Sequence, residues 1–576
     1  MFRLFLSLVA FGCSAKSTDQ GNAGDAGHST NDTAAAEDTG ISGPENTVTG
    51  AAVELLGQPG PECPDPSQRP IAVFDTHVGT GDWQNQWIPW SDLTAGRGWG
   101  LAVEDFNGDG HLDVLLPNLG SDELHLGDGT GHFIRDDDAI PNSVRDDTDV
   151  DTTGTAATDF DGDGDIDLYL ANRGPDRLLR NRGDGTFEDV SEASGISFEA
   201  ADSISAAWGH LDGDGLPDLF VSTYLYGVFP FEDIAAGTVP TADTNRLYRN
   251  LGDGQFEDIS YALPDSARTT FAFVAGWHDI DLDGDADLII VNDLGPIAYP
   301  NVVLRNDDGI LVDIATETSL DVPIYGMGLG VGDVNGDMKS EFLFSSWDDL
   351  IWMESDGAGD WYENSIGAGL VSGWENQNVG WGTELADLNN DRWLDVMVPF
   401  GAHVMDPVER SYFESTLGLM NPDAQNNMVF TGSASGFVDV SQEWNLDDSA
   451  MSRVLLPADI NNDGWLDLVG RSLDEPAALH MARCGDQGWL KVEIRDHAPN
   501  TMGLGVRVDL SLEGDSPSLT RTVSAGSTGI ASSGPHDLHF GLGSTQYVNL
   551  FIRWLDGAET TIENVQPKQT LRITRL

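Results

Sequence analysis

Seven copies of one acidic string, short apolar strands after each copy, and turn signals between those strands predict an all-β chain. The predicted architecture is a seven-bladed β-propeller with a small C-terminal β domain. The string follows D-x-[DN]-x-D-x-x-x-D. It starts at Asp105, Asp159, His210, Asp279, Asp333, Asp387 and Asp459, in steps of 54, 51, 69, 54, 54 and 72 residues. Periods of this size mark repeat architectures, in which each repeat is one supersecondary unit. A second string interleaves with the first: Phe187-Glu188-Asp189-Val190-Ser191, with counterparts starting at Phe133, Phe256, Leu311, Trp361 and Phe437. Turns such as Asn181-Arg182-Gly183-Asp184-Gly185 precede it and call for positive φ. Each unit therefore reads as strand, acidic loop, strand, strand, turn, strand.

The chain ends sharpen this pattern. The last acidic string lacks a following F-x-D-V strand, and a matching one, Val73-Phe74-Asp75-Thr76-His77, stands before the first string. Residues 71–77 are expected to complete the seventh blade, closing the ring and removing open sheet edges. Residues 61–485 then form the propeller. In residues 486–576, apolar and polar positions alternate, as in Leu490-Lys491-Val492-Glu493-Ile494, which argues for strands. Cys63 and Cys484 flank the expected seam, and in an exported chain a disulfide between them would clamp it; the alternative is two unpaired thiols.

The first residues carry an export signal. Arg3 is followed by the apolar run Leu4–Gly12 and then Cys13, so residues 1–13 resemble a lipoprotein-type signal with lipidation at Cys13. Plain secretion is the alternative. Either way the expected location is outside the cytoplasm: a bacterial cell surface or outer membrane, or the medium. Residues 14–60, rich in Ser, Thr, Ala, Asp and Gly, read as a flexible tether.

Charge narrows the partners. With 28 basic and 96 acidic residues the net charge is −68, which argues against nucleic acid and against anionic lipid head groups. A hard cation bound through oxygen is the natural partner, and Ca²⁺ takes six to eight oxygen ligands. In each loop the side chains at positions one, three, five and nine, with the backbone carbonyl at seven, can wrap one ion. The first loop offers Asp105, Asn107, Asp109 and Asp113, with His111 at position seven. The second offers Asp159, Asp161, Asp163 and Asp167, with Asp165. The third begins with His210, a poor calcium ligand, and keeps Asp212, Asp214 and Asp218. The fourth offers Asp279, Asp281, Asp283 and Asp287, with Asp285. The fifth has Asp333, Asn335, Asp337 and Glu341; the sixth Asp387, Asn389, Asp391 and Asp395; the seventh Asp459, Asn461, Asp463 and Asp467. Up to seven ions are expected, most tightly at loops two and four, with loop three weak or empty. An EF-hand is ruled out, because position twelve is apolar (Leu116, Leu170) and a strand follows.

These loops resemble the FG-GAP/VCBS repeats of integrin-α-type propellers. The C-terminal strings Arg521-Thr522-Val523-Ser524-Ala525-Gly526, Leu538-His539-Phe540-Gly541-Leu542-Gly543 and Phe551-Ile552-Arg553-Trp554-Leu555-Asp556-Gly557 resemble the ASPIC/UnbV domain that ends cartilage-acidic-protein-like proteins. The resemblance implies an extracellular calcium-binding protein with an adhesive or matrix-associated role.

Two insertions, near 224–244 and 400–426, leave from the face opposite the acidic loops and carry Tyr224, Tyr226, Phe229, Phe231, His403, Tyr412 and Phe413. They are the expected surface for an extracellular protein or glycan ligand. No HExxH, G-x-S-x-G, Walker or Cys/His zinc pattern occurs, so a non-enzymatic ligand-binding role is the primary expectation. The alternative is an extracellular calcium-dependent enzyme acting on polysaccharide, such as a lyase.

Overall fold

Each acidic loop joins the first two strands of a four-stranded antiparallel unit. Unit two consists of Asp151–Thr158, Asp167–Gly174, Arg177–Asn181 and Phe187–Asp189, paired in that order. The computed structural model describes residues 46–61, 63, 74–78 and 100–576, apart from 119–121, 146–149, 197–199, 227–237, 348, 372–377, 402–414, 416–424, 474, 513–517 and 527–530. Cys13, the expected signal and most of the expected tether lie outside the described residues. Within them the fold is all-β, and no helix is long and apolar enough to cross a membrane.

Among the described residues seven four-stranded units follow one another, with units two and three joined through the pairing of Ala201 with Gly174. Unit seven takes its last strand from far upstream. Phe74–Val78 pairs antiparallel with Ala478–Ala482, Phe74 opposite Ala482 and Val78 opposite Ala478. Beside this seam Cys63 and Cys484 form a disulfide with Cα atoms 5.6 Å apart. A cross-link over so long a loop stabilises by about 2–5 kcal/mol.

The strand sequences suit their places. Second strands such as Asp287–Asn292 are buried along their whole length and read as continuous apolar runs. First strands pack each against the next and are rich in small residues, as in Gly326–Gly332. Gly328 shows why: a Cβ there would lie 2.4 Å from the Trp381 carbonyl oxygen of the next unit. Leu101, Val103, Ile204, Phe273, Met327, Trp381, Val454 and Leu456, from different units, join one apolar cluster. Unit seven also abuts unit one, where buried Arg471 donates to Asn118 Oδ1 at 3.0 Å.

The C-terminal domain is two packed sheets. One holds, in spatial order, Thr47–Gly50, Glu559–Val565, Val548–Arg553, Arg507–Leu512 and Leu519–Thr522; the other Val53–Pro59, Gln569–Arg575, Gly488–Arg495 and Leu538–Gly543. Val492, Leu510, Phe540, Leu550 and Ile573 fill the space between them. This corrects one expectation. Residues 47–59 are not tether but two edge strands of this domain. Ala51, Val53 and Leu55 pack on its core, and the backbone of 53–59 pairs with 569–575. A few alternating apolar residues suffice when an existing sheet edge satisfies the backbone.

The same domain reaches into the repeats. Ala525 and Gly526 pair with Trp208 and Ala207 on the first strand of unit three. Thr155 of unit two donates to the Ala531 carbonyl, and Ser533 exchanges backbone bonds with Leu101 and Val103 of unit one.

Candidate metal centres

Local backbone chemistry builds each acidic loop. The position-one carboxylate closes its own turn: Asp159 Oδ1 accepts from Gly162 N (2.8 Å) and Asp163 N (3.1 Å), and Oδ2 from Gly164 N (2.8 Å). Position six is left-handed throughout this pattern, with φ of 100° at Gly164 and even 70° and 89° at Met338 and Arg392.

Two loops gather their carboxylates into a cluster. Asp159, Asp161 and Asp167 in loop two, and Asp279, Asp281 and Asp283 in loop four, each bring one oxygen apiece within 4.8 Å of the others. Asp161 Oδ1 and Asp279 Oδ1 are buried and accept no hydrogen bond. Burial, then neighbouring carboxylates, push Asp161 and Asp279 up to about 6, and burial is also the main reason Asp167 stands well above the usual carboxylate range. Crowded, desolvated, acceptor-only oxygens with none of their own donors are what a hard divalent cation relieves. The residues of loops two and four fit Ca²⁺.

The other loops differ. In loop one Asn107 Nδ2 donates to Asp109 Oδ2 at 3.2 Å, in loop five Asn335 Nδ2 donates to Glu341 Oε1 at 2.8 Å, and in loop seven Asn461 Nδ2 donates to Asp463 Oδ2 at 3.2 Å. In loop six Asn389 donates to Thr431 Oγ1 and accepts from Asp391 N. An amide at position three thus supplies a donor where loops two and four have another carboxylate. In loop three the His210 ring stands between two carbonyls, Nδ1 3.0 Å from Leu216 O and Nε2 3.1 Å from Leu504 O. Leu216 is position seven, so the carbonyl expected to reach a metal faces the imidazole instead, while Asp212 and Asp214 stay at the loop surface.

Position nine has a second role that sequence reading missed. Asp167 Oδ2 accepts from Phe160 N at 3.1 Å and Oδ1 from Asn181 N at 2.7 Å, tying the start of the loop to the end of the third strand. Asp113, Asp218, Asp287, Asp395 and Asp467 repeat the pattern. Glu341 instead reaches Val334 N and Asn335. The available signal was the Arg-Asn pair closing the third strands of units two to four. Asn181 Nδ2 donates to Ile166 O and across to Phe106 O of unit one, at 2.9 and 2.8 Å.

The C-terminal domain sits against these loops. Thr501 donates its hydroxyl to Asp159 Oδ2. Lys491 Nζ lies 3.7 Å from Asp459 Oδ2; burial pushes Asp387 up to about 7 and raises Asp333, and the Arg521 guanidinium offsets part of both shifts. His539 Nε2 meets Asn390 Oδ1 at 2.8 Å. Gly541 is required here, since a Cβ would lie 1.9 Å from Asp387 Oδ2. Of the insertion residues, Tyr224 is buried and donates to Asp293 Oδ2 at 2.7 Å, and Tyr226 is exposed; Phe229, Phe231, His403, Tyr412 and Phe413 lie outside the described residues.

Residues 159–221 match the FG-GAP-like repeat, and residues 496–575 match ASPIC and UnbV. Cartilage acidic protein 1 of Xenopus tropicalis is 23% identical over 493 residues, covering 80% of this chain and 70% of that protein; the Homo sapiens protein is 22% identical, covering 80% and 69%. Among solved structures, rhamnogalacturonan lyase YesW aligns at 14% identity and TM-score 0.36, covering 71% of this chain and 75% of that one. An Agrocybe aegerita lectin aligns at 13% and 0.35, covering 58% and 77%. Likenesses this weak carry no reading of the chain. The chain combines an FG-GAP-like repeat with an ASPIC and UnbV domain and is similar to cartilage acidic protein 1 over most of its length.

Proposed function

We propose that the chain is an exported, calcium-stabilised seven-bladed β-propeller that binds an extracellular partner without catalysing its conversion, with Cys13 as a lipid attachment point at the cell surface. The seven four-stranded units are the blades over residues 61–485. The Arg471–Asn118 contact between units seven and one, and the strand Phe74–Val78 seated in unit seven, support closure of the ring. The calcium reading is carried by one observation: in loops two and four three carboxylates converge, and each cluster holds a buried oxygen with no donor. At extracellular calcium, modules of this type with affinities of roughly 10⁻⁴–10⁻³ M are substantially filled, which suits a structural role.

The test is elemental analysis of purified protein joined to thermal melting. Protein dialysed against millimolar calcium is expected to retain at least two ions per chain and to melt higher than chelated protein. Equal melting temperatures with no calcium retained would dispose of the reading.

A further inference from the structure

The C-terminal domain bonds directly to one of the two convergent loops and meets the other across a cleft. At loop two Thr501 bonds Asp159, and a Cβ on Gly162 would lie 3.1 Å from Pro499 Cα. In loop four the place of Gly162 is taken by Leu282, which borders a cleft. Loop four opens instead on a cleft of about 290 Å³ shared with unit three and the C-terminal domain. Asp279 and Asp283 of the loop line it, together with Arg553, Thr522 and Ser524 of the C-terminal domain.

Arg553 is the unexpected residue. It is exposed, and its close contact among the described residues is the ring of Phe551, 5.4 Å from its guanidinium carbon. Glu559 stands opposite it in the strand ladder, yet the two form no ion pair. In a chain of net charge −68 an arginine with no acidic partner among the described residues, lining the same cleft as an acidic loop, is positioned for an anion from outside.

We propose that this cleft binds a carboxylate-bearing sugar, a uronate. Its carboxylate would complete the oxygen shell of the cation held by loop four and pair with Arg553, and its hydroxyls would meet Thr522 and Ser524. The proposal rests on the calcium reading above and names its ligand. A cation taking six to eight oxygens at an open loop leaves positions for oxygens from outside. Once bound, it inverts the local charge, so a wall of aspartates accepts an anion. Arginine grips carboxylate through two parallel N–H bonds. The compact cleft, just under the roughly 300–1,000 Å³ of drug-sized pockets, and its hydroxyl-bearing wall favour one sugar ring over an extended acidic peptide.

The test titrates the full calcium-loaded chain calorimetrically with galacturonate, galactose and N-acetylaspartate, with bound calcium counted on the same samples. Galacturonate is expected to bind, galactose is not, and chelator is expected to abolish the signal. Arg553→Gln is expected to weaken galacturonate at least tenfold and Thr522→Val severalfold, in protein still loaded with calcium. Failure of galacturonate to bind the loaded chain, or unchanged binding by Arg553→Gln, overturns the proposal while leaving the calcium reading intact. N-acetylaspartate binding as tightly as galacturonate overturns the sugar in favour of an acidic side chain. A chain holding no calcium removes both readings, and the metal count tells the cases apart.

Discussion

Lys491 Nζ stands 3.7 Å from Asp459 Oδ2, so the C-terminal domain places its own cation at the seventh acidic loop. The amine also donates to Asn462 Oδ1 at 2.6 Å and lies 3.8 Å from Asp537 Oδ2. Only 7% of the Lys491 side chain and 2% of Asp459 are exposed. Removing one partner of such a buried pair leaves an uncompensated charge, which costs about 3–5 kcal/mol. Lys491→Met is therefore expected to lose that much stability in denaturant titration with calcium present, and Lys491→Arg to lose far less. A Lys491→Met protein as stable as the parent would mean that something else, such as a metal ion, balances Asp459.

Positions three and nine of one loop should respond differently to calcium. Asp167 holds Phe160 N and Asn181 N whatever else it binds. Asn in its place turns one acceptor into a donor facing a backbone N–H, which costs about 1–3 kcal/mol per buried group. Asp161 has a buried oxygen with no donor, and its other oxygen makes only a long contact, 3.9 Å, with Arg180 Nη1. Asp167→Asn is expected to melt lower with and without chelator. Asp161→Asn is expected to melt lower with calcium and to match or exceed the parent once calcium is removed. Parallel behaviour of the two variants would contradict the division of roles.

The repeat was legible because its loop chemistry allows little choice. An acidic turn needs carboxylates at fixed spacing and a residue tolerant of positive φ at position six, so the string recurs wherever the unit does. The seam was legible for a related reason: a missing strand at one end and a spare one near Phe74 can only complete each other. Residues 47–59 were misread because Val53 and Leu55 are too few to stand out among Ser, Thr and Gly, and their partners, 569–575, lie at the far end of the chain. The docking of Lys491 onto Asp459, or of Leu504 onto His210, left no local mark either. Each residue obeys its own strand or loop pattern, and only the packing of two domains brings them together.

His210 offers a gain-of-function test. Its ring takes the place of a position-one carboxylate and faces the position-seven carbonyl of its own loop. Asp212 and Asp214 stand at the loop surface and Asp218 is buried. His210→Asp restores the full ligand set and is expected to raise bound calcium by one ion per chain at neutral pH, counted by elemental analysis after equilibrium dialysis. An unchanged count would show that the contact with the Leu504 carbonyl, not the identity of position one, keeps this loop closed to metal.

Acidity should act in opposite directions on the metal-free and loaded forms. Burial raises Asp161 and Asp279 to about 6 and Asp113, Asp218 and Asp287 to about 7, against about 3.9 for an unfolded aspartate. Between those values the folded, metal-free chain keeps protons that the unfolded chain releases. The stability these five carboxyls contribute is thus fully present below about pH 4 and is lost as the pH rises through 6 and 7. Calcium binds only the ionised carboxylates, so its stabilisation grows across the same window. The melting temperatures of loaded and chelated protein are therefore expected to lie close together at pH 4.5 and to diverge steadily by pH 7.5. A gap that stays constant with pH would mean that these carboxyls are neutralised by some means other than a bound cation.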